Sequence, residues 1–342
     1  MFEGVVQRIE SLVPSRLIMV VLLLASKSDN ASMTLCNAVL RLGGWGEELS
    51  CTVGSYRVHQ SGLVNLLVIE QLHILADDID LEFEKSTGVS IENILVLSRH
   101  VSSSKTPAMA LHAIGIPGKL PYGQPGQSGG KNGILIPPNP FFAPLFRTMC
   151  KFATLRNLDQ EFDLTLETTH HGPILNKPTL YVEIGSSESE WDRTDVADCW
   201  AETLSHVLGI SISKSQNIDT SIDVMIGFGG GHYAPRHKAI ILESNFYLGH
   251  VIANYSLLFD DTDSSDYISG PWVDAVTKAV DSTKISFPNN CIFAHLDRKS
   301  FKGWQRTAII QKLDDLGIEV RRGKEILQSC LLYTSPSPRD PH

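Results

Sequence analysis

The 342-residue sequence predicts an α/β fold in which a mixed sheet is flanked by helices. Short apolar runs, interpreted as buried strands, recur along the chain, and several of them end in polar or glycine-rich turns. Between some of these runs, apolar residues recur three and four positions apart, which is the spacing of an amphipathic helix. With 42% hydrophobic and 20% charged residues, the chain can bury a full core as one large or two ordinary domains.

The first half of the chain begins with the apolar run 17–25, which is too short to span a bilayer and is interpreted as a strand. The polar stretch 26–32 follows, and its side chains suit the start of a helix because they accept hydrogen bonds from unpaired amides. The runs 64–71 and 94–97 are further strand candidates. The acidic segment 77–84 between them is interpreted as a solvated turn.

The central part of the chain opens with residues 115–140, which are rich in Gly and Pro and are expected to form a mobile flap beside a site. An amphipathic helix is predicted over 141–158 and another helix over 191–208. Strands are predicted at 162–171, where apolar and polar residues alternate up to a double histidine, and at 181–184.

In the last third of the chain, strands are predicted at 222–226, 291–295 and 318–320, and helices at 271–280 and 303–316. The region 298–324 has an excess of Lys and Arg, for which a solvated helix face is the simplest interpretation. Residues 1–16 form a weakly amphipathic extension, whereas 331–342 have no core pattern and are expected to be non-native sequence.

The overall charge and the cysteine content limit the class of protein. A net charge of −9 argues against a uniformly basic nucleic-acid coat, so any contact with phosphates requires a local patch. The six cysteines include no C-x-x-C pair, which indicates reduced thiols and a cytosolic or nuclear setting.

The glycine turn 227–237, with the sequence GFGGGHYAPRH, follows the predicted strand 222–226. Three consecutive glycines allow backbone amides to approach a ligand closely, and a histidine, a tyrosine and an arginine follow at once. These glycines and the three side chains that follow them suit a ligand-binding site. A Gly-rich hairpin with solvated polar residues remains the alternative. The candidates here are Gly229, Gly230, Gly231, His232, Tyr233 and Arg236.

A second group of candidates follows the predicted strand 94–97. Open α/β sheets place their sites beyond the carboxyl ends of strands, and this strand ends in hydroxyls, a histidine and cations. A capped loop with a surface histidine is the alternative. The candidates are Ser98, Arg99, His100, Lys105 and His112.

The double histidine His170-His171 ends the predicted strand 162–171. Neighbouring side chains on a regular strand point to opposite faces, but the following Gly172-Pro173 breaks the strand and could let both rings converge. Glu183 stands inside the apolar strand 181–184, where a carboxylate is costly unless it is paired or binds a metal. The alternative is an edge strand with Glu183 facing water.

Taken together, the histidines and Glu183 fit a zinc site, because zinc accepts neutral imidazole and carboxylate oxygen in tetrahedral geometry. His250, which also lies beside a strand-like run, is a further candidate ligand. The sequence contains no H-E-x-x-H helix, and its G-x-S-x-G string at 126–130 lies in the Gly/Pro-rich segment and not in a strand-to-helix elbow, so the standard metalloprotease and α/β-hydrolase arrangements are absent.

These motifs together resemble the archaeal and plant type of D-aminoacyl-tRNA deacylase. The resemblance runs in order from about residue 17 to about residue 322 and is carried by SRH and HAIG at 98–115, ETTHHGP at 167–173, VEIGS at 182–186 and GFGGGHYAPR at 227–236. Two segments depart from it: Ile116 stands where the family usually has Asn and begins a Pro/Gly-rich insertion, and the tail from 331 has no counterpart.

The resemblance implies a single catalytic domain over 17–330 with a phosphorylase/hydrolase-like fold similar to that of peptidyl-tRNA hydrolases. It also implies zinc-dependent hydrolysis of the ester that joins a D-amino acid to the 3′ end of tRNA. We expect a cytoplasmic monomer that binds neither membrane nor DNA, with nucleus or organelle left open. The alternatives are a tRNA-binding module without chemistry and a small-molecule hydrolase or phosphorylase on the same fold.

The resemblance and the chemistry of ester hydrolysis together assign roles to the candidates. His170, His171 and Glu183 would hold zinc or position the water, with His232 as a base or further ligand and His250 as an additional ligand. The amides of Gly229, Gly230 and Gly231 would stabilise the oxyanion. Arg99, Lys105 and Arg236 would contact the terminal phosphates or ribose, and Tyr233 would stack on the terminal adenine. The predicted substrate-binding residues also include Ser98, His100 and His112.

Overall fold

The computed structural model describes residues 20–118, 128–212, 217–260 and 268–327. Its strands are β1 (Val21–Ser26), β2 (Leu49–Cys51), β3 (Gly54–Val58), β4 (Val64–Ile69), β5 (Asn93–Val101), β6 (Ala108–His112), β7 (Gly115–Ile116), β8 (Ile134–Leu135), β9 (Asp163–Leu166), β10 (Thr179–Ser186), β11 (Val224–Phe228), β12 (Tyr247–Ile252), β13 (Ile292–Leu296) and β14 (Glu319–Val320). Its α-helices are α1 (Asn30–Arg41), α2 (Ile79–Thr87), α3 (Phe142–Leu155), α4 (Glu188–Trp191), α5 (Thr194–Val207), α6 (Pro235–Glu243), α7 (Trp272–Ser286) and α8 (Gly303–Asp315).

Two sheets carry most of these strands. The larger is mixed, with the order β2-β3-β4-β1-β5-β10-β6-β9, and the smaller has the order β12-β11-β13-β14. The central strands β4, β1, β5 and β10 run parallel, β6 runs antiparallel to β10, and all pairings in the smaller sheet are parallel. The prediction of a mixed sheet flanked by helices is confirmed.

The start of α1 shows how the sequence specifies one strand-to-helix junction. All six residues of β1 are buried, which matches its apolar composition. Asp29 then caps α1, because its Oδ1 accepts a hydrogen bond from the Ser32 amide at 3.0 Å. The polar stretch after the first strand therefore begins a helix, as predicted.

A shared hydrophobic core joins the two sheets. Phe142 and Phe146 of α3 and Trp200 of α5 are fully buried in one cluster with apolar residues of both sheets, including Val182 of β10 and Val251 of β12. This packing brings the carboxyl-terminal parts of β9 and β11 close together. The amide of Thr168, just after β9, donates to the carbonyl of His232, just after β11, at 2.8 Å.

The prediction of a solvated turn at 77–84 is wrong, because helix α2 occupies most of this segment. Ile79 and Phe83, four positions apart, place their side chains in the core on one face of the helix. Asp80 is also fully buried, and its Oδ2 accepts hydrogen bonds from the amides of Asn176 and Lys177 at 2.7 and 3.0 Å.

Other predicted bounds differ more modestly from the structure. The strand predicted at 94–97 extends from residue 93 to 101, and the helix predicted at 191–208 is divided into α4 and α5. The predicted flap begins in β7, passes through residues 119–127, which lie outside the described residues, and returns through β8. The predicted terminal segments 1–16 and 331–342 also lie outside the described residues. Among the described helices, none combines the length and apolar character needed to cross a bilayer.

Gly185 allows β5 and β10 to lie side by side, which leads to a stability prediction. A Cβ at this position would lie 2.1 Å from the carbonyl oxygen of His100, an impossible contact with the backbone. We expect Gly185→Ala to force the two strands apart and to lower the free energy of unfolding by about 1–3 kcal/mol or more. The measurement is urea unfolding, with Gly303→Ala as the control, because the nearest atom to a Cβ there is an arginine side-chain atom 3.8 Å away. Equal stability of the two variants would contradict this expectation.

Candidate active site

The candidate active site begins on three neighbouring strands of the larger sheet. Ser98 and His100 lie two positions apart on β5, so their side chains share one face. Glu183 of β10 is in register with Ser98. Tyr181 of β10 is in register with His112 of β6. Ser98 and His100, which were predicted to follow the strand 94–97, therefore lie within β5, and His112 lies within β6.

Glu183 is buried, with 4% exposure, in the interior of the sheet. Ser98 Oγ donates to its Oε1 at 3.0 Å, and His100 Nδ1 lies 3.3 Å from its Oε2. His112 Nε2 is 3.5 Å from Oε1. The alternative of an edge strand with this carboxylate in water is wrong, because Glu183 is buried on an interior strand and pairs with His100.

Electrostatic pairing between Glu183 and His100 dominates this part of the site. Burial alone would raise the pKa of Glu183, but the hydrogen bond from His100 and the close approach of the His112 ring hold it well below its usual value. Burial alone would lower the pKa of His100, but its bond to Glu183 and the negative charge of Glu167 raise it to about 9. His100 is therefore a buried cation between two carboxylates, 3.2 Å from Glu167 Oε1.

Glu167 links the two sheets and was not among the candidates predicted from the sequence. It follows β9 and is 1% exposed. Its Oε2 lies 3.1 Å from His232 Nε2 and 3.7 Å from His170 Nε2. The available signal was its position three residues before the double histidine. The glycine turn brings His232 to this carboxylate through the backbone hydrogen bond between Thr168 and His232.

Three imidazoles form a second part of the site. His112, His170 and His171 have ring centroids 4.1 to 4.6 Å apart. The left-handed backbone of His171, with φ of +47°, interrupts the strand alternation and turns its ring toward the ring of His170. The predicted convergence of the two neighbouring histidines is therefore found in the structure.

The same three histidines share one tautomer. Each Nδ1 lies within hydrogen-bond distance of a backbone carbonyl, at 3.1 Å for His112, 2.8 Å for His170 and 2.6 Å for His171. Because a carbonyl only accepts, each Nδ1 carries the proton as donor, and Nε2 of the neutral ring is left with its lone pair. This is how metal-binding histidines are normally oriented.

The pKa values of these rings favour the neutral form at two positions. Burial, reinforced by neighbouring imidazoles, lowers the pKa of His170 well below its usual value and that of His171 to about 3. Burial also opposes protonation of His112, but interaction with Glu183 raises the pKa of that ring.

The cluster offers several sets of metal ligands. Three overlapping groups each place their ligand atoms within 4.8 Å of one another. His112 Nε2 and both oxygens of Glu167 are buried, and no described residue gives any of these atoms a hydrogen bond of good geometry. Buried imidazole nitrogen and carboxylate oxygen without such partners are suitable donors for zinc. The groups are His112, His170 and His171; Glu167, His170 and His232; and His100, Glu167 and Glu183.

His250 does not join this cluster, so we no longer include it among the candidate ligands. It is fully buried below the site, where its Nδ1 pairs with Thr169 Oγ1 at 2.9 Å and its Nε2 with Ser282 Oγ at 3.1 Å. Both ring nitrogens are therefore engaged by hydroxyl groups.

Two of the three amides predicted to stabilise an oxyanion are already bonded within the protein. Gly229 donates to the carbonyl of Ile252 and Gly230 donates to Ser300 Oγ, both at 2.8 Å. These bonds fix the shape of the glycine turn, so its role is to position His232. Gly231 is exposed at the tip of the turn.

The remaining predicted substrate contacts lie at different distances from the cluster. Tyr233 borders it, because its hydroxyl lies 3.4 Å from His100 Nε2 and donates to Ser102 Oγ at 3.1 Å. Arg99 points away and lies over the Trp191 ring, 5.3 Å from the centroid. Arg236 pairs with Asp297, and Lys105 is exposed on the loop after β5.

A second layer of side chains supports the three histidines from below. Tyr181 stacks on His112 with ring centroids 5.1 Å apart, and its hydroxyl lies 3.2 Å from His73 Nδ1. His73 Nε2 is in turn 3.1 Å from Asp29 Oδ2. The sequence analysis did not single out this chain of contacts as part of a site, because its members lie up to 152 positions apart along the sequence.

Comparison with known proteins now identifies the family. A family model described as D-aminoacyl-tRNA deacylase matches residues 87–321, which contain every member of the histidine and glutamate cluster. The chain belongs to the D-aminoacyl-tRNA deacylase family. It is 38% identical to a D-aminoacyl-tRNA deacylase of Arabidopsis thaliana over 88% of this chain and 98% of the relative. It is 30% identical to one of Methanosarcina acetivorans over 89% of this chain and 92% of the relative.

A solved structure supports the same assignment of fold. A crystal structure described as a conserved protein of unknown function superposes with a TM-score of 0.72 and 25% sequence identity, covering 91% of this chain and 97% of that one. The predicted membership of the D-aminoacyl-tRNA deacylase family is confirmed, and so is the prediction of a hydrolase. The domain limits 17–330 and the individual residue roles stay predictions.

Proposed function

We propose that the protein hydrolyses the ester bond of D-aminoacyl-tRNA and releases the free D-amino acid and tRNA, with zinc assisting the attack of water. One observation carries the proposal: in a member of this family, three imidazoles whose Nδ1 atoms donate to backbone carbonyls converge beside Glu167 and His232. Ester hydrolysis needs an activated water and a stabilised oxyanion. This cluster supplies groups suited to both needs.

His112, His170 and His171 would hold zinc through Nε2. Glu167 and His232, which share a second ligand group with His170, would lie beside it. Bound zinc would polarise the ester carbonyl and lower the pKa of a water to roughly 7. A set of three histidines leaves a fourth position open, as in catalytic zinc sites.

Glu167 is suited to receive the proton of the attacking water. Its buried oxygens lack a hydrogen bond of good geometry from the described residues, and His232 beside it is 17% exposed at its side chain, so His232 lies between this carboxylate and the protein surface. The oxygen of water adds to the ester carbonyl carbon, and the bond to the ribose oxygen then breaks. That ribose oxygen takes up the proton that Glu167 received, and the released amino acid becomes its carboxylate by losing the second proton of the water to solvent.

We assign Glu183 and His100 to charge balance and positioning. The cationic ring of His100 lies between the two carboxylates, so it offsets their repulsion and fixes the orientation of Glu167. Tyr233, which closes this side of the site, would contact the terminal adenosine. The substrate would be the aminoacylated 3′ end of tRNA, while a monomeric state and a cytoplasmic location stay predictions.

The decisive assay incubates the purified protein with matched D-tyrosyl-tRNA and L-tyrosyl-tRNA and follows loss of the ester. We expect rapid loss of the D-ester, slow loss of the L-ester and strong inhibition by a zinc chelator that is reversed by added zinc. Full activity in chelator, with no metal bound, would remove the zinc role. Binding without ester loss would favour a tRNA-binding module, and turnover of a free ester with indifference to tRNA would favour a small-molecule hydrolase.

A further inference from the structure

A basic cavity lies at one end of the smaller sheet. Strand β13 is followed by a short 3-10 turn over Arg298–Ser300, and β14 is followed by residues 321–324. Together they enclose a cavity of about 170 Å³. Its lining includes His295, Arg298, Arg321, Arg322 and Lys324.

Three of these cations are not neutralised within the described part of the chain. Arg321 pairs with Asp223 at 2.5 Å and with Glu319 at 2.8 Å, so its charge is compensated. Arg298, Arg322 and Lys324 are exposed, and none forms an ion pair with an acid among the described residues. The chain as a whole has a net charge of −9, so a cluster of three cations creates a local positive potential that attracts anions.

The hydrogen-bond chain behind the cavity determines which nitrogen of His295 carries a proton. His237 Nε2 lies 3.2 Å from the carbonyl of Gly229, which only accepts, so the proton is on that nitrogen. The Nδ1 of the neutral His237 ring must then accept, and it lies 3.0 Å from His295 Nδ1, which therefore donates. The Nε2 of His295 is left as a hydrogen-bond acceptor.

That acceptor borders the cavity. A Cβ placed on Gly323, which lines the cavity, would lie 3.6 Å from His295 Nε2. No described residue donates a hydrogen bond to this nitrogen. The Glu325 carboxylate accepts a hydrogen bond from the Arg322 amide at 2.9 Å, but it forms no ion pair with the three cations. The cavity is therefore bordered by three cations outside any ion pair and by one acceptor, which matches the phosphate and the 2′-hydroxyl of an RNA backbone unit.

The cavity adjoins the turn that positions His232. Ser300, at the end of the 3-10 turn, accepts the hydrogen bond of the Gly230 amide, and the Asp297 amide donates to the Phe228 carbonyl at 2.8 Å. An RNA strand held at the cavity would thus be anchored to the same turn that carries a residue of the candidate active site.

We propose that this basic cavity binds the ribose-phosphate backbone of tRNA near its aminoacylated end, with Arg298, Arg322 and Lys324 on phosphate and His295 Nε2 accepting from a 2′-hydroxyl. This inference rests on the proposed function for the identity of the RNA. It adds a binding site outside the histidine and glutamate cluster.

The test measures binding of uncharged tRNA by filter binding across a range of salt concentrations. The variant Arg298→Ala/Arg322→Ala/Lys324→Ala is compared with Lys85→Ala/Lys151→Ala/Lys284→Ala, which removes the same charge from exposed helix positions elsewhere. We expect Kd to rise about 10-fold or more for the cavity variant alone, and the slope of log Kd against log salt to fall by about 2–3. An equal rise in Kd for both triple variants would show that binding depends on the total charge of the protein and not on the cavity, and would overturn the proposal.

A second pair of variants examines the acceptor. An RNA acceptor-stem hairpin should bind more tightly than a DNA hairpin of the same sequence, and inorganic phosphate should compete only weakly. His295→Leu should reduce the RNA preference, whereas His295→Gln, which keeps an acceptor, should retain it. Equal preference in the wild type and His295→Leu would overturn the role of this histidine.

Deacylation separates the two proposals. The ratio of kcat/KM for D-tyrosyl-tRNA to that for D-tyrosyl-adenosine should fall about 10-fold in the cavity variant. A wild-type protein that binds tRNA through the cavity but leaves the D-ester intact would overturn the proposed function alone. Rapid D-ester loss with unchanged tRNA binding in the cavity variant would overturn this inference alone.

Discussion

Replacing His170 by alanine is expected to lower kcat/KM for D-tyrosyl-tRNA by about 100-fold or more and to reduce the bound zinc. His170 belongs to two of the three ligand groups, and its Nδ1 proton is fixed by the Thr168 carbonyl so that Nε2 faces the cluster. Loss of a ligand removes both metal affinity and the acid-base geometry built around it. Single-turnover ester hydrolysis and metal analysis of the dialysed protein are the measurements.

The matched control for this variant is His206→Ala. His206 is an exposed histidine near the end of α5, where its ring lies edge-on to Phe152 at 5.6 Å, so the same substitution there should leave rate and zinc content unchanged. Full deacylation by His170→Ala would remove this residue from the proposed mechanism. Lost activity with undiminished zinc would instead show that His170 acts outside the metal group.

Elements specified by local chemistry were predicted well. The Asp29 cap requires only a strand followed by a side chain that accepts from an amide, and both features are visible in the sequence. The approach of His170 and His171 was likewise predictable, because Gly172-Pro173 follows them directly. In each case the residues that determine the geometry are near neighbours in the chain.

The parts that escaped prediction depend on distant contacts. Glu167 is buried only because the glycine turn returns to β9 and brings His232 against it. Helix α2 was misread as a solvated turn because the partners of Asp80 lie nearly one hundred residues later in the chain. The Gly229 and Gly230 amides suggested an oxyanion site, but they donate to the Ile252 carbonyl and to Ser300 Oγ. These hydrogen bonds join distant parts of the chain, so no pattern in the sequence predicts them.

Acidification is expected to destabilise the fold strongly between about pH 6.5 and pH 3, because His250 is buried in the neutral form. Burial lowers the pKa of this ring to about 3 from its ordinary value of 6.5. Within that window the unfolded chain binds a proton that the folded protein excludes, so stability is fully present above pH 6.5 and falls as the pH falls. For one group the slope is about 1.4 kcal/mol per pH unit.

His250→Gln isolates this contribution, because Gln keeps hydrogen-bonding groups for Thr169 and Ser282 but does not titrate. Urea unfolding at several pH values should show that the free energy of unfolding falls less steeply in the variant, by about one proton, so that below pH 6.5 the variant gains stability relative to the unsubstituted protein. His237 will keep part of the acid sensitivity, since burial also lowers its pKa to about 3. Parallel curves for the two proteins would mean that His250 carries its proton in the folded state, so that Thr169 and Ser282 both accept from a buried cation.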